Sequence, residues 1–142
     1  MASFNKYSTF IEKLFELGHD FQNDTFKVAL TNTAPTAATD TAWSTGTYPA
    51  PAAANGYSAG GNSLTVSSSA QASGTYKWVV ADSVFTATAG GIGPFRYAIL
   101  YNSTRSNIVV GYYDYGSSIT LSNAGDTFTV DFDATNGVIQ AS

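Results

Sequence analysis

The chain contains no cysteine, which excludes disulfide staples, thiolate-held zinc, iron–sulfur clusters and thiol nucleophiles. It contains a single histidine, His19, so any Ser-His-Asp triad would have to be built around that residue. Charge is scarce as well. Asp, Glu, Lys and Arg supply 11% of the 142 residues, against about 25% in an average soluble domain. The net charge is −4, the wrong sign for holding nucleic acid by neutralising phosphates. No apolar run approaches the ~18 residues that suggest a membrane-spanning helix. Neither nucleic acid nor a membrane is therefore an expected partner. The opening MASFNK lacks the cationic start and apolar stretch of a secretion signal. That reads as a protein made in a cytoplasm and used there, or released without a signal.

What remains is small and aromatic. Ser, Thr, Ala and Gly dominate, with nine Tyr and nine Phe among them. The length fits one domain, residues 1–142. A chain of this size buries about two-thirds of its unfolded surface and needs no metal to fold. No cofactor is expected.

Phe4, Tyr7, Phe10, Ile11, Leu14, Phe15 and Leu17 are spaced by three, four and one. That spacing predicts an amphipathic helix over residues 4–18. Thr9 and Glu12 form a candidate capping box, and Gly18 a candidate C-terminal stop. The apolar stripe is expected to pack on its own domain or partly on a neighbouring subunit. His19, just beyond, reads as a solvated residue at the helix end.

From residue 25 onward the pattern is strand and turn. Phe26, Val28 and Leu30 alternate inward. Further strands are expected at Leu64 and Val66, at Tyr76, Trp78 and Val80, and over residues 84–88. Residues 95–101 read as a central strand, paired with 108–113. Ile119 and Leu121 suggest a short strand, residues 127–133 alternate clearly, and Val138 and Ile139 close the chain. Short strands at this spacing predict a mainly-β chain: an antiparallel β-sandwich or jelly-roll-like domain over 25–142. Residues 32–62 do not fit that pattern. Pro35, Pro49 and Pro51 interrupt pairing, and Trp43, Tyr48 and Tyr57 are the only large anchors. This long extended arm is expected to lay its rings on its own sandwich or on another chain, and to be only marginally ordered in an isolated subunit. Removing residues 35–54 is then expected to leave a folded β body.

Candidate chemistry is sparse. Asp131, Asp133 and Asn136 are loosely similar to a calcium loop but lack the bidentate Glu and the ligand spacing. Alternation alone accounts for Asp131 and Asp133 as a solvated strand face. The glycines at 90, 91 and 93 lead into a strand, so they form a tight turn rather than a phosphate loop. Asp82 and Asp114 could be imagined as a glycosidase pair, but nothing in the sequence places them together. No nucleophile, base and orienter can be assembled, and an enzyme is not expected. Tyr97, Tyr101, Tyr112, Tyr113 and Tyr115 crowd the middle strands. Such tyrosine-rich, charge-poor surface suits protein–protein contacts or carbohydrate stacking. The candidate interaction residues are Phe4, Tyr7, Phe10, Leu14, Trp43, Tyr48, Tyr57, Tyr112 and Tyr113.

Four strings carry a resemblance: DTFKVALTNTAP at 24–35, NGYSAGGN at 55–62, GPFRYAILYN at 93–102 and DTFTVDF at 126–132. As a set they resemble small virion structural proteins of tailed bacteriophages, and the likeness extends over nearly the whole chain. The resemblance implies a virion protein made in the host cytoplasm, with capsid decoration, or cement, on the capsid exterior as the expected role. A tail-associated component is the alternative within that class, and a carbohydrate-binding module the alternative outside it. The implied partners are the major capsid protein and copies of the chain itself in a homo-oligomer. The family offers no catalytic motif or binding residue to carry over.

Overall fold

The computed structural model describes residues 2–142. It is mainly β, with one short helix and antiparallel sheets. The strands are β1 (Phe4–Lys6), β2 (Phe26–Thr31), β3 (Asn62–Ser63), β4 (Val66–Ala72) and β5 (Thr75–Val80). They continue with β6 (Ser83–Thr86), β7 (Ile92–Asn102), β8 (Ile108–Leu121), β9 (Thr127–Val130) and β10 (Ile139–Ala141). The helix α1 is Thr9–Phe15. One sheet runs β1-β8-β7-β2-β3, a second β10-β5-β4, and β6 pairs with β9.

The expected alternation builds the sandwich. Phe26, Val28 and Leu30 of β2 face inward with Ala98 and Leu100 of β7 and Val110 and Tyr113 of β8. They meet Trp78 and Val80 of β5, Phe85 of β6, Val130 of β9 and Ile139 of β10 in one buried cluster. Phe21 and Phe26 stack at 5.0 Å, and Trp78 leans on both at 4.8 Å. As expected, β7 is central, with β8 on one side and β2 on the other. Ile119 and Leu121 are not a separate strand. They belong to the 14-residue β8, whose pairing with β7 is carried past three irregularities. The strand at 127–133 ends at Val130, because the Asp82 carboxylate takes the N–H of Phe132 and turns the chain away.

The helix over 4–18 is corrected. Residues 4–6 are a strand, paired Phe4 with Tyr113 and Lys6 with Gly111. Gly111 is the reason, since a Cβ there would collide with the Phe4 ring. Apolar residues at a helical spacing therefore lie in two elements. Only residues 9–15 are helical, Ser8 rather than Thr9 is the N-cap, and no side chain caps the helix. Leu17 (φ 58°) takes the left-handed position, and the N–H of Gly18 reaches the Lys13 carbonyl at 2.7 Å. That six-residue closure is the Schellman arrangement.

The arm over 32–62 lies on its own domain. Trp43 and Tyr48 cover the outer face of the five-stranded sheet, where Tyr7, Ala29, Tyr97, Ile99, Tyr101 and Val109 complete a second buried cluster. Both faces of β2 and β7 are consequently enclosed. The arm also closes the sheet's edges. Ala42 bridges Ile108, and the N–H of Trp43 reaches the Asn107 carbonyl at 2.8 Å, continuing the cover that β1 starts. On the opposite edge β3 pairs only Lys27 and Val28, and the Tyr57 hydroxyl then accepts the N–H of Leu30 at 3.0 Å. Gly61 (φ 78°) lies so close to the Val28 carbonyl and Ala29 that no side chain would fit.

Candidate functional site

The nine expected interaction residues do not form one surface. They divide between the two cores. Phe4, Phe10, Leu14, Tyr57 and Tyr113 pack on the inner cluster, Phe4 against Tyr113 at 5.5 Å and Tyr57 stacked on Phe85 at 5.7 Å. Tyr7, Trp43, Tyr48 and Tyr112 belong to the outer one. Trp43 stacks on Tyr101 at 4.8 Å, and Tyr7 meets Tyr112 edge-on at 5.5 Å. Tyr97, Tyr101 and Tyr113, expected to be exposed, are buried. For Tyr97 and Tyr101 the cause is the arm, which turns the second face of the sheet into interior, whereas Tyr113 packs in the inner cluster against Phe4 and Phe132.

Inside that outer cluster the hydroxyls of Tyr7 and Tyr48 are 2.9 Å apart, and Tyr48 donates a very short bond to the Asp40 carboxylate. Asp40 also accepts the N–H of Thr36 at 2.7 Å. Burial, and next the Asp40 carboxylate, push the Tyr48 hydroxyl well above the usual phenol range. These bonds latch the arm to the segment between β1 and α1.

Asp82, Asp114 and Asp133 are occupied by structure. Asp114 holds Arg96 with two bonds, 2.7 and 2.8 Å, while Asp82 serves Phe132. Asp133 accepts the N–H groups of Thr135 and Asn136 at 2.8 Å, and Asn136 Nδ2 at 2.9 Å. Those bonds hold its carboxyl below the usual carboxylate range and make it the organiser of a turn. Among the described residues, no group of three or more His, Asp and Glu side chains is arranged to hold a metal ion.

One polar cluster was not anticipated. His19 is 8% exposed, not solvated. It sits among Phe10, Phe21 and Phe26, with ring separations of 5.6 to 6.0 Å. Its Nδ1 faces the Asn102 amide at 3.3 Å. Asn102 donates to Asp24 at 2.8 Å, the N–H of Asp20 reaches the same carboxylate at 2.9 Å, and Arg105 Nε lies 3.0 and 3.1 Å from its two oxygens. The cluster fastens the segment after α1 to the β7–β8 turn. Burial pushes the Asp24 carboxyl up, but these bonds outweigh it and hold the group below its usual value. The visible sequence signal was Asn102 and Arg105 in one polar turn; nothing local pointed to Asp24 as their partner.

Asp24→Ala leaves the Asn102 amide and the Asp20 N–H without their acceptor in a buried place. The expected loss is about 3 kcal/mol, read from urea midpoints. Asp24→Asn keeps an acceptor oxygen and should lose less. A change within about 0.5 kcal/mol for Asp24→Ala would show that the cluster holds nothing together.

Three of the four exposed large apolar side chains lie at one corner, the fourth being Val84 on β6. Ile11 is 44%, Phe15 83% and Leu17 81% exposed, at and just beyond the C-terminal end of α1. Glu12 and Glu16 flank them, both bonded to Lys13 at 2.9 and 2.7 Å. Phe15 and Leu17 were expected in the packed stripe. The helix is too short and turns too early to bring them round to the sheet. The chain matches no protein-family model, no curated protein and no solved structure.

Proposed function

We propose that the chain is a structural protein of a tailed-bacteriophage virion, a capsid decoration (cement) protein acting on the head exterior through protein–protein contacts. The observation that carries this reading is the distribution of apolar surface. Most of the aromatic residues are spent on two internal clusters, and the most exposed apolar side chains, Phe15 and Leu17, lie at and just beyond the end of α1. A β body whose exposed apolar side chains gather mainly at the end of α1 suits a protein that binds a repeating shell by burial, worth ~25 cal/mol per Å². The four strings that resemble phage virion proteins point the same way. The partners are the major capsid protein and further copies of the chain. With Tyr97, Tyr101 and Tyr113 buried, fewer rings are left for the carbohydrate-binding alternative, which would have to use the partly exposed Tyr76, Tyr112 and Tyr115.

The test is reconstitution. Heads assembled without this protein are mixed with the purified chain and imaged by electron microscopy. Expected is density of its size repeated over the capsid exterior, and loss of that binding in Phe15→Ser/Leu17→Ser. Density confined to the tail would favour a tail-associated component. No binding to heads or tails would end the virion reading.

A further inference from the structure

We infer that two copies of the chain associate through the outer edge of β4, joining their three-stranded sheets into one six-stranded antiparallel sheet about a twofold axis near Ala70. The inference goes beyond the virion reading and does not rest on it.

The outer edge of β8 beyond Tyr113 carries the charge of Asp114 and the left-handed Gly116 (φ 83°), and the other open edges are short. The strands that end sheets, β1, β3, β6, β9 and β10, are two to four residues long. The five-stranded sheet is closed further by the arm at 41–43 and by the Tyr57 hydroxyl. β4 differs. It is seven residues long, it ends its sheet, and it pairs only with β5. Natural edge strands of that length are normally blunted by charge, proline or a bulge. β4 reads VSSSAQA, with neither charge nor proline, and its one irregularity lies at the Val66 end.

The backbone groups that a partner would meet follow from the hairpin. Ser73 (φ 52°) and Gly74 (φ 83°) form a two-residue turn closed by Ala72 and Thr75. Two-residue turns of this hand close on a hydrogen-bonded pair. Alternation then makes Ala70 with Lys77 the next bonded pair and leaves the N–H and C=O of Ser69 and Gln71 pointing away from β5. Two antiparallel β4 strands crossing at Ala70 pair Ser69 with the second copy's Gln71 in both directions. At the axis the facing side chains are methyl groups, which is the closest approach a sheet permits.

Charge favours a second copy as the occupant. The chain carries −4 overall, yet no charged residue occurs between Asp40 and Lys77. Two identical β4 edges therefore meet without opposing like charges. Beside the edge, Leu17, His19, Phe21, Ser69, Tyr76 and Arg105 line a groove on the inner face of the same sheet.

Sedimentation equilibrium of the full chain tests this. The expected result is a concentration-dependent species of twice the 14.9 kDa chain mass. Ser68→Lys/Ala72→Lys places lysines opposite each other across the axis, on exposed positions whose own β5 partners are Val79 and Thr75. It should stay monomeric with an unchanged melting temperature, and Ser68→Glu/Ala72→Glu should do the same. Mixing the two variants should restore the dimer, which a purely structural role of these residues would not do. Amide exchange at Ser69 and Gln71 should slow as wild-type concentration rises, while Ala70 stays protected throughout. A wild-type chain that remains monomeric, or a dimer that both charged variants retain, overturns the inference. Either result leaves head binding to be judged separately.

Discussion

Deletion of residues 35–54 is expected to abolish cooperative folding, not to leave a soluble β body. The segment contains Trp43 and Tyr48, which with Tyr7 cover Ala29, Tyr97, Ile99, Tyr101 and Val109. Truncating a buried large aromatic side chain costs about 3–5 kcal/mol. Two such losses approach the whole stability of an ordinary domain, about 5–15 kcal/mol. The deletion also uncovers the outer faces of β2 and β7 and removes the bridge from Ala42 to Ile108. Tyr48→Ala is the version that keeps chain length, and it should lower the unfolding free energy by about 3–5 kcal/mol. Near-ultraviolet dichroism and urea unfolding of both proteins supply the measurement. A deleted chain that stays soluble and melts sharply near the wild-type temperature would show that the second core contributes little.

Acid should weaken the fold over the window set by His19. An unfolded histidine titrates near 6.5, and in the fold His19 titrates at about 4. Burial among Phe10, Phe21 and Phe26 is the main cause; the Asp24 carboxylate opposes it and the Arg105 guanidinium adds to it. The folded pKa is depressed, so between these two values the unfolded chain binds the extra proton. Stability is then full above pH 6.5 and falls as pH drops towards 4, by about 1.4 kcal/mol per unit and about 3 kcal/mol in all. Below that, the lowered carboxyl of Asp24 begins to take up its own proton and continues the decline. His19→Gln keeps an acceptor for Asn102 and removes the titration. Its unfolding free energy should be nearly level from pH 6.5 to 4.5. Parallel slopes for the two proteins would place the acid sensitivity elsewhere.

The strands were legible because side-chain alternation is local. Phe26, Val28 and Leu30 point inward whatever they meet, and the polar turn before Ile108 brings β8 back along β7. The first 20 residues misled for the opposite reason. A spacing of three and four residues fits a helix, but Phe4 belongs to a strand because Gly111, remote in sequence, leaves room for its ring. The tyrosines were legible as contact-forming residues, though not as buried ones. Whether Tyr97 or Tyr101 faces water depends on where the arm lies, and a segment of Ala, Thr, Ser, Gly and Pro announces no direction. His19 was misread on the same ground. Its burial comes from three phenylalanines in two different segments, and its polar neighbours arrive from Asp24 and from the far side of β7.

The pairing of Phe4 with Tyr113 also constrains the order of events in folding. During synthesis the β1 segment is made long before its partner strand β8. Contacts so distant in sequence form slowly, because the intervening chain must be ordered first. The hairpins β4–β5 and β7–β8 close over short turns and can form as soon as they are made. β1 can therefore dock only after β8 is made, and until it does the outer edge of β8 stands open at residues 111–113. A nascent or refolding chain is consequently most vulnerable to mispairing at residues 111–113, the stretch that its own first strand will eventually cover.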